Sequence, residues 1–331
     1  NFEVTDLAHN SATIPNMTPA GSDGWKGLKN ENFSFSFIRS SDGRRIRYGK
    51  SVISEPRGII VLAPGQSEFI EIYYELVNDF NRNNYDVWII DWKGQGGSDH
   101  IDPDENRALN NFLNDKHDLE KFLREVVVRK DGLPLILLAH SMGAHIALRM
   151  LEDTPNLVDL TILTAPMITV KTGMYPHNMS SILASIVVSS GLGRWYAPGN
   201  SKWVERPNFK ASDNENTSDP VRSMWKEYWR ISRPDLRKSY GVTYQWFHNY
   251  SHSRDELLQS QKLLLGSSKI LMTIPLKDVL VIPEASLELC AKMINCKSII
   301  YENARHELYL EENKVRNVWL SDIFRWIKIN N

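Results

Sequence analysis

LPLILLAHSMGAHIALRML, residues Leu133 to Leu151, is the stretch from which the rest of the chain can be read. An unbroken apolar run from Leu135 to Ala139 stops at His140-Ser141-Met142-Gly143. It resumes with helical spacing through Ile146, Leu148, Met150 and Leu151, the pattern of a buried strand, a sharp turn and a helix. Ser141 stands at the turn. A hydroxyl there projects beyond the strand end, and the N–H groups that open the following helix point at whatever oxygen lies beside it. That is where a nucleophile is placed. The pentapeptide reads A-x-S-x-G against the pattern G-x-S-x-G, with Ala139 at the first small position, and alanine is the least bulky replacement where strand and helix nearly touch.

Working outward, each flank repeats the unit. Upstream, IIVLAP ends at Pro64-Gly65-Gln66 and leads into a helix with apolar positions at Phe69, Ile72, Tyr73, Leu76, Val77 and Phe80. DVWIIDW follows, then the loop KGQGGSD and a helix from about Asn110 to Val128. Before these, FSFSFI and RRIRYGKSVI flank Ser41-Asp42-Gly43 and read as an antiparallel hairpin. Downstream, LVDLTILTAP is a further buried strand. Strands alternating with helices at this spacing predict an α/β class with a mostly parallel sheet covered on both faces.

The rhythm stops from Met167 to about Leu265, where no apolar strand run occurs and aromatics concentrate, Trp195, Trp203, Trp225, Trp229 and Trp246 among them. It resumes with KILMTIPLKD, a helix near Pro283 to Met293, KSIIYEN and a last helix near Val315 to Ile329. The expected organisation is an N-terminal surface arm over residues 1–30, a core from 31–166 and 267–331, and a mainly helical insertion over 167–266 forming a lid.

A serine nucleophile needs a base within hydrogen-bond reach and a carboxylate to orient that base, both from loops at the carboxyl ends of later strands. His306 follows the last strand and Asp278 the one before it, giving the chain order Ser141, Asp278, His306. Among rival histidines, His140 and His145 flank the serine as packing or rim residues, and His9, His100, His117 and His177 follow no late strand. His248 and His252 belong to the insertion. Glu284 rivals Asp278 but is placed to begin the next helix. Stabilising an oxyanion takes two backbone N–H groups, and Met142 at the helix start with Gln66 after IIVLAP are the candidates. The glycines of DWKGQGGSD lack both the Lys-Ser/Thr ending of a phosphate loop and dinucleotide spacing, so that loop is read as structural.

The pieces PGQSEFIEIYYE, DWKGQGGSD, AHSMGA, GVTYQWFHNYS, KDVLVIPEA and ARHELYLEE, in this order, resemble the lysophospholipase L2 and monoacylglycerol lipase family of α/β-hydrolases, from about Asn32 to Asn331. The resemblance implies the α/β-hydrolase fold and a serine esterase or lipase acting on lysophospholipids or monoacylglycerols. Ser141, Asp278 and His306 match the family's triad, and Gln66 with Met142 its oxyanion donors. The chain departs from the family at Ala139, Ala144 and Pro64-Gly65. An acyltransferase on the same triad, a small-ester esterase and a catalytically silent binding protein remain alternatives.

Composition bounds the rest. With 331 residues, 42% hydrophobic, the chain is long enough to bury a large core. A formal charge of −1 with dispersed basic residues gives no footprint for nucleic acid. Cys290 and Cys296 form no metal-ligand spacing and read as buried or idle thiols, and the chemistry expected needs no cofactor or metal. No apolar run reaches the ~18 residues of a membrane span. The expected location is cytoplasmic or peripheral to a membrane, with contact through the lid. Because the sequence opens on Asn1, its true N-terminus stays open.

Overall fold

The computed structural model describes residues 32–100, 111–206, 209–236 and 239–331, so the expected arm over 1–30 lies outside the described residues. The hairpin pairs β1 (Phe33–Arg39) antiparallel with β2 (Arg45–Ser51), and Gly43 turns the chain at φ 82°. The alternating units follow: β3 (Gly58–Ala63), α1 (Tyr74–Arg82), β4 (Tyr85–Ile90), α2 (Phe112–Glu125), β5 (Leu135–His140), α3 (Met142–Leu151) and β6 (Leu160–Thr164). The α2 helix begins where the Asn111 side chain accepts from the N–H groups of Leu113 and Asn114, a cap that satisfies two otherwise unpaired donors.

After β6 come α4 (His177–Ser189), α5 (Trp225–Ser232), α6 (Tyr244–Leu258) and α7 (Gln261–Leu264). The chain then returns through β7 (Lys269–Pro275), α8 (Pro283–Lys292), β8 (Cys296–Tyr301) and α9 (Asn313–Asn330). Among the described residues the eight strands form one sheet in the order β1-β2-β4-β3-β5-β6-β7-β8. It is parallel from β4 to β8, and β2 runs antiparallel to both its neighbours. This is the α/β-hydrolase fold.

Every residue of β3, β4, β5 and β6 is buried, as expected for strands covered on both faces. Successive side chains serve different cores because a strand alternates its side chains across the sheet. Leu135, Leu137 and Ala139 join Leu119, Phe122 and Ile146 on one face. Ile136 and Leu138 join Leu76, Phe80, Trp319 and Ile323 on the other. Each buried leucine or isoleucine contributes about 1.5–3 kcal/mol. A charged residue at Leu137 would therefore disrupt the centre of the sheet.

The α6 helix rests on this core through aromatics. Trp246 stacks on Tyr250 with ring centroids 5.5 Å apart, and Phe112 of α2 meets Trp246 edge-on at 5.7 Å. Cys290 and Cys296, expected as thiols, are joined in a disulfide. The chain reverses between the end of α8 and the start of β8, which brings their Cα atoms to 5.2 Å, within bonding range. Spacing in sequence does not reveal such a reversal.

Candidate active site

Parallel strands deliver the loops after β3, β5, β7 and β8 to one edge of the sheet. At the end of β5, Ser141 has φ 49° and ψ −112°, a conformation that a non-glycine residue holds only when its surroundings impose it. Its N–H donates to the Thr164 carbonyl at 3.0 Å, and its own carbonyl accepts from His145 and Met167 at 3.2 and 3.1 Å. The bend lets α3 return against β3 so closely that a Cβ on Gly143 would lie 2.2 Å from the Ala63 carbonyl oxygen. Glycine at 143 is thus a packing requirement, and Ala139 and Ala144 are fully buried beside it.

At the end of β7, Asp278 Oδ1 accepts from the N–H groups of Leu280 and Val281 at 2.8 and 2.9 Å, while Oδ2 receives His306 Nδ1 at 2.6 Å. Both side chains are buried. Burial opposes ionisation of Asp278, but His306 and the two backbone donors outweigh it and hold the carboxyl below its ordinary range. Burial likewise favours the neutral His306 ring. The charge and hydrogen bond of Asp278, with Glu307 and Glu68 beyond, nevertheless raise its pKa above the ordinary value. With Nδ1 donating to the carboxylate, the neutral ring presents Nε2 as its acceptor. Glu284 is exposed in the first turn of α8.

Met142 is the first residue of α3, so its N–H is among the helix donors with no partner inside the helix. Gln66 lies in the loop after β3. The loop DWKGQGGSD, read as structural, shapes this neighbourhood. Gln95 Nε2 donates to the carbonyls of Gly65 and Glu68, both at 3.0 Å, and Trp92 Nε1 donates to the Pro64 carbonyl at 2.7 Å. Glu68 Oε2 accepts the Gly65 N–H at 2.5 Å. Reading along the chain missed Gln95 and Glu68 as partners of this turn. The available signal was that β3 and β4 are parallel neighbours whose following loops must meet.

The remaining histidines divide by environment. His145 is buried, with Nδ1 3.1 Å from the Met167 carbonyl and Nε2 2.8 Å from Ser253 Oγ. His140 packs against His306 with ring centroids 4.8 Å apart. His248 and His252 face each other on α6 at 4.4 Å, and His117 is exposed. His9 lies outside the described residues.

Ser141, His306, Gln66 and Met167 line one cavity of about 910 Å³. Its wall also includes Leu183 of α4 and Phe247 of α6. A serine on a strained turn and a carboxylate-bound histidine opening on one cavity can carry out acyl transfer through a serine ester.

Residues 54–313 match the family described as serine aminopeptidase, S33. The chain is 23% identical over 305 residues to a probable lysophospholipase L2 of Haemophilus influenzae, covering 91% of this chain and 94% of that protein. It is 29% identical over 210 residues to lysophospholipase L2 of Escherichia coli, covering 63% of this chain and 59% of that one. Among solved structures, a soluble variant of the monoglyceride lipase of Saccharomyces cerevisiae in complex with a substrate analog superposes with a TM-score of 0.68 at 20% identity. The match spans 92% of this chain and 97% of the other.

Proposed function

The chain belongs to the serine aminopeptidase S33 family of hydrolases, and from that premise we propose that it cleaves carboxylic esters of single-chain lipids, lysophospholipids or monoacylglycerols. The observation that carries this reading is that Ser141 and the Asp278-bound His306 open onto one large cavity with an apolar wall drawn from the inserted helices. In the proposed cycle Ser141 Oγ attacks the ester carbonyl carbon while His306 Nε2 takes the hydroxyl proton. Negative charge collects on the carbonyl oxygen, beside the N–H groups of Met142 and Gln66. Collapse breaks the bond to the alcohol, which leaves with the proton from His306. Water then attacks the acyl-enzyme, giving its proton to His306, and the acid departs as Ser141 regains its hydrogen.

In this reading the segment 167–266 is the lid and the acyl chain lies along its inner wall. A buried methylene contributes about 0.8 kcal/mol, so specificity should follow chain length until the pocket is full. The test is kcat/KM for p-nitrophenyl esters of graded length. We expect it to climb several-fold for roughly every two added carbons, then level off. A series that falls steadily from acetyl upward would point to a small-ester esterase whose lid aromatics serve only its own packing.

The outer face of α4 supports a peripheral contact with lipid. Met179, Ile182 and Ile186 are exposed and do not line the cavity, and α4 carries no Asp, Glu, Lys or Arg. Ile182 and Ile186 are 62% and 58% exposed and are the positions to change. Replacing both by serine should reduce co-sedimentation with liposomes without altering turnover of a soluble ester. Unchanged co-sedimentation would remove the interfacial role.

A further inference from the structure

Beside His306 lies a cluster that the proposed cycle does not use, and its charged members Glu68, Lys226 and Glu307 line the same cavity. Glu68 is 2% exposed and fully engaged. Its Oε2 accepts the Gly65 N–H and the Tyr73 hydroxyl, both at 2.5 Å. Its Oε1 accepts the Tyr309 hydroxyl at 2.7 Å and faces Lys226 Nζ at 3.3 Å. The two tyrosine rings stack at 4.6 Å. Lys226 also pairs with Glu307, the residue after His306. Lys226 belongs to α5, within the inserted segment, whereas Glu68 and Glu307 belong to the loops after β3 and β8. One ammonium group therefore joins three parts of the chain. A second tie from the same helix runs from Arg230 Nη2 to the Ser67 carbonyl at 3.0 Å.

The groups facing His306 are Asp278, Glu307 and Glu68, with the His140 ring against it. Burial pushes His140 down to about 4, so near neutral pH it adds no positive charge. Arg230 lies close to Lys226 but forms its own ion pair with Glu227. Lys226 is the cation set against both Glu68 and Glu307. Without it neither buried carboxylate beside the base would face a lysine: Glu68 would keep the Gly65, Tyr73 and Tyr309 donors and the His140 ring at 3.5 Å, and Glu307 would lose its cation, a costly arrangement that relaxes by proton uptake or by movement of the loops. Either response reaches the Gly65–Glu68 turn, because Glu68 holds the Gly65 N–H.

We infer that Lys226 is a positioning residue for the reaction: seated between Glu68 and Glu307, it holds the oxyanion turn and the His306 loop in working register. On this view α5 completes the catalytic site as well as covering it. The inference rests on the proposed hydrolase reading, in which Gln66 supplies an oxyanion donor and His306 is the base.

The test follows a short soluble ester, p-nitrophenyl butyrate, from about pH 5 to 9 with the full chain and its Lys226→Met, Lys226→Arg, Glu307→Gln and Lys226→Met/Glu307→Gln variants. In the parent protein kcat/KM should rise through an apparent pKa above ~6.5, since a raised histidine pKa delays formation of the neutral base. In Lys226→Met, uncompensated negative charge should favour the imidazolium and move that limb up by about 0.5–1 unit. Its kcat on the plateau should fall roughly 10-fold, with KM within about two-fold, because the loss is felt in the transition state.

Lys226→Arg should recover most of the rate, and adding Glu307→Gln to Lys226→Met should bring the limb back towards its original position. Glu307→Gln alone should move the limb down, and this variant decides the matter if Lys226→Met does not fold. A limb that stays in place in both Lys226→Met and Glu307→Gln, or a change confined to KM, overturns the inference. If the parent protein hydrolyses no ester and fluorophosphonate does not label Ser141, the hydrolase reading itself has failed.

Discussion

Replacing Ser141 by alanine should lower kcat for a soluble ester by on the order of 10³-fold or more and abolish labelling by a fluorophosphonate. The size of the effect follows from the arrangement. Ser141 stands at φ 49° between β5 and α3, its backbone tied to Thr164, His145 and Met167, so the substitution deletes an oxygen and leaves the turn intact. A cavity of about 910 Å³ beside it remains able to bind an ester, so KM should change far less than kcat. Labelling at another residue, or near-normal turnover by the variant, would remove Ser141 from the mechanism. Thermal unfolding should be almost unaffected, which separates loss of the nucleophile from loss of the fold.

Replacing Asp278 by asparagine should cost on the order of 10⁴-fold in kcat, whereas Glu284→Gln should remain within about two-fold. The reason lies in which atoms Asp278 serves. Its Oδ1 accepts from two backbone N–H groups and its Oδ2 from His306 Nδ1, so both oxygens are acceptors facing donors. An asparagine has one oxygen to offer. If that oxygen keeps the Leu280 and Val281 donors, the amide NH₂ meets Nδ1, which must then accept, and the ring proton moves to Nε2. A histidine with Nε2 protonated cannot take the serine proton. Glu284 is exposed at the start of α8, where a change of charge alters little. The reverse ranking of the two variants would move the orienting acid to Glu284.

Most of the local architecture was legible along the chain. The uninterrupted apolar runs at Ile59–Ala63 and Leu135–Ala139 belong to strands buried on both faces, and the α/β-hydrolase sheet follows from their alternation with helices. The positions of Ser141, Asp278 and His306 just after strands were legible for the same reason. A strand end, a turn and a helix start are set by neighbours a few residues apart. Less legible was the part played by individual aromatics. Composition cannot separate Trp246 and Tyr250, which stack and meet Phe112 of the core, from Tyr175, which is 62% exposed, because the difference lies in which helix each faces.

By itself the sequence determined the class of sheet, the order of its units, the interruption between β6 and β7 and the chemistry available at each strand end. These depend on periods of two and 3.6 residues and on turn residues, all local properties. Only the tertiary structure decided which distant groups meet. Glu68 joins Lys226 and Tyr309, Gln95 closes on Gly65, and Cys290 on Cys296. Those meetings depend on the strand order that makes β3 a neighbour of both β4 and β5, and on where the helices between β6 and β7 come to rest. A charge such as Lys226 on a short helix looks in the sequence like any solvated lysine. Once that helix packs over the strand ends, the lysine side chain is left only 13% exposed, and the two buried carboxylates beneath become its partners.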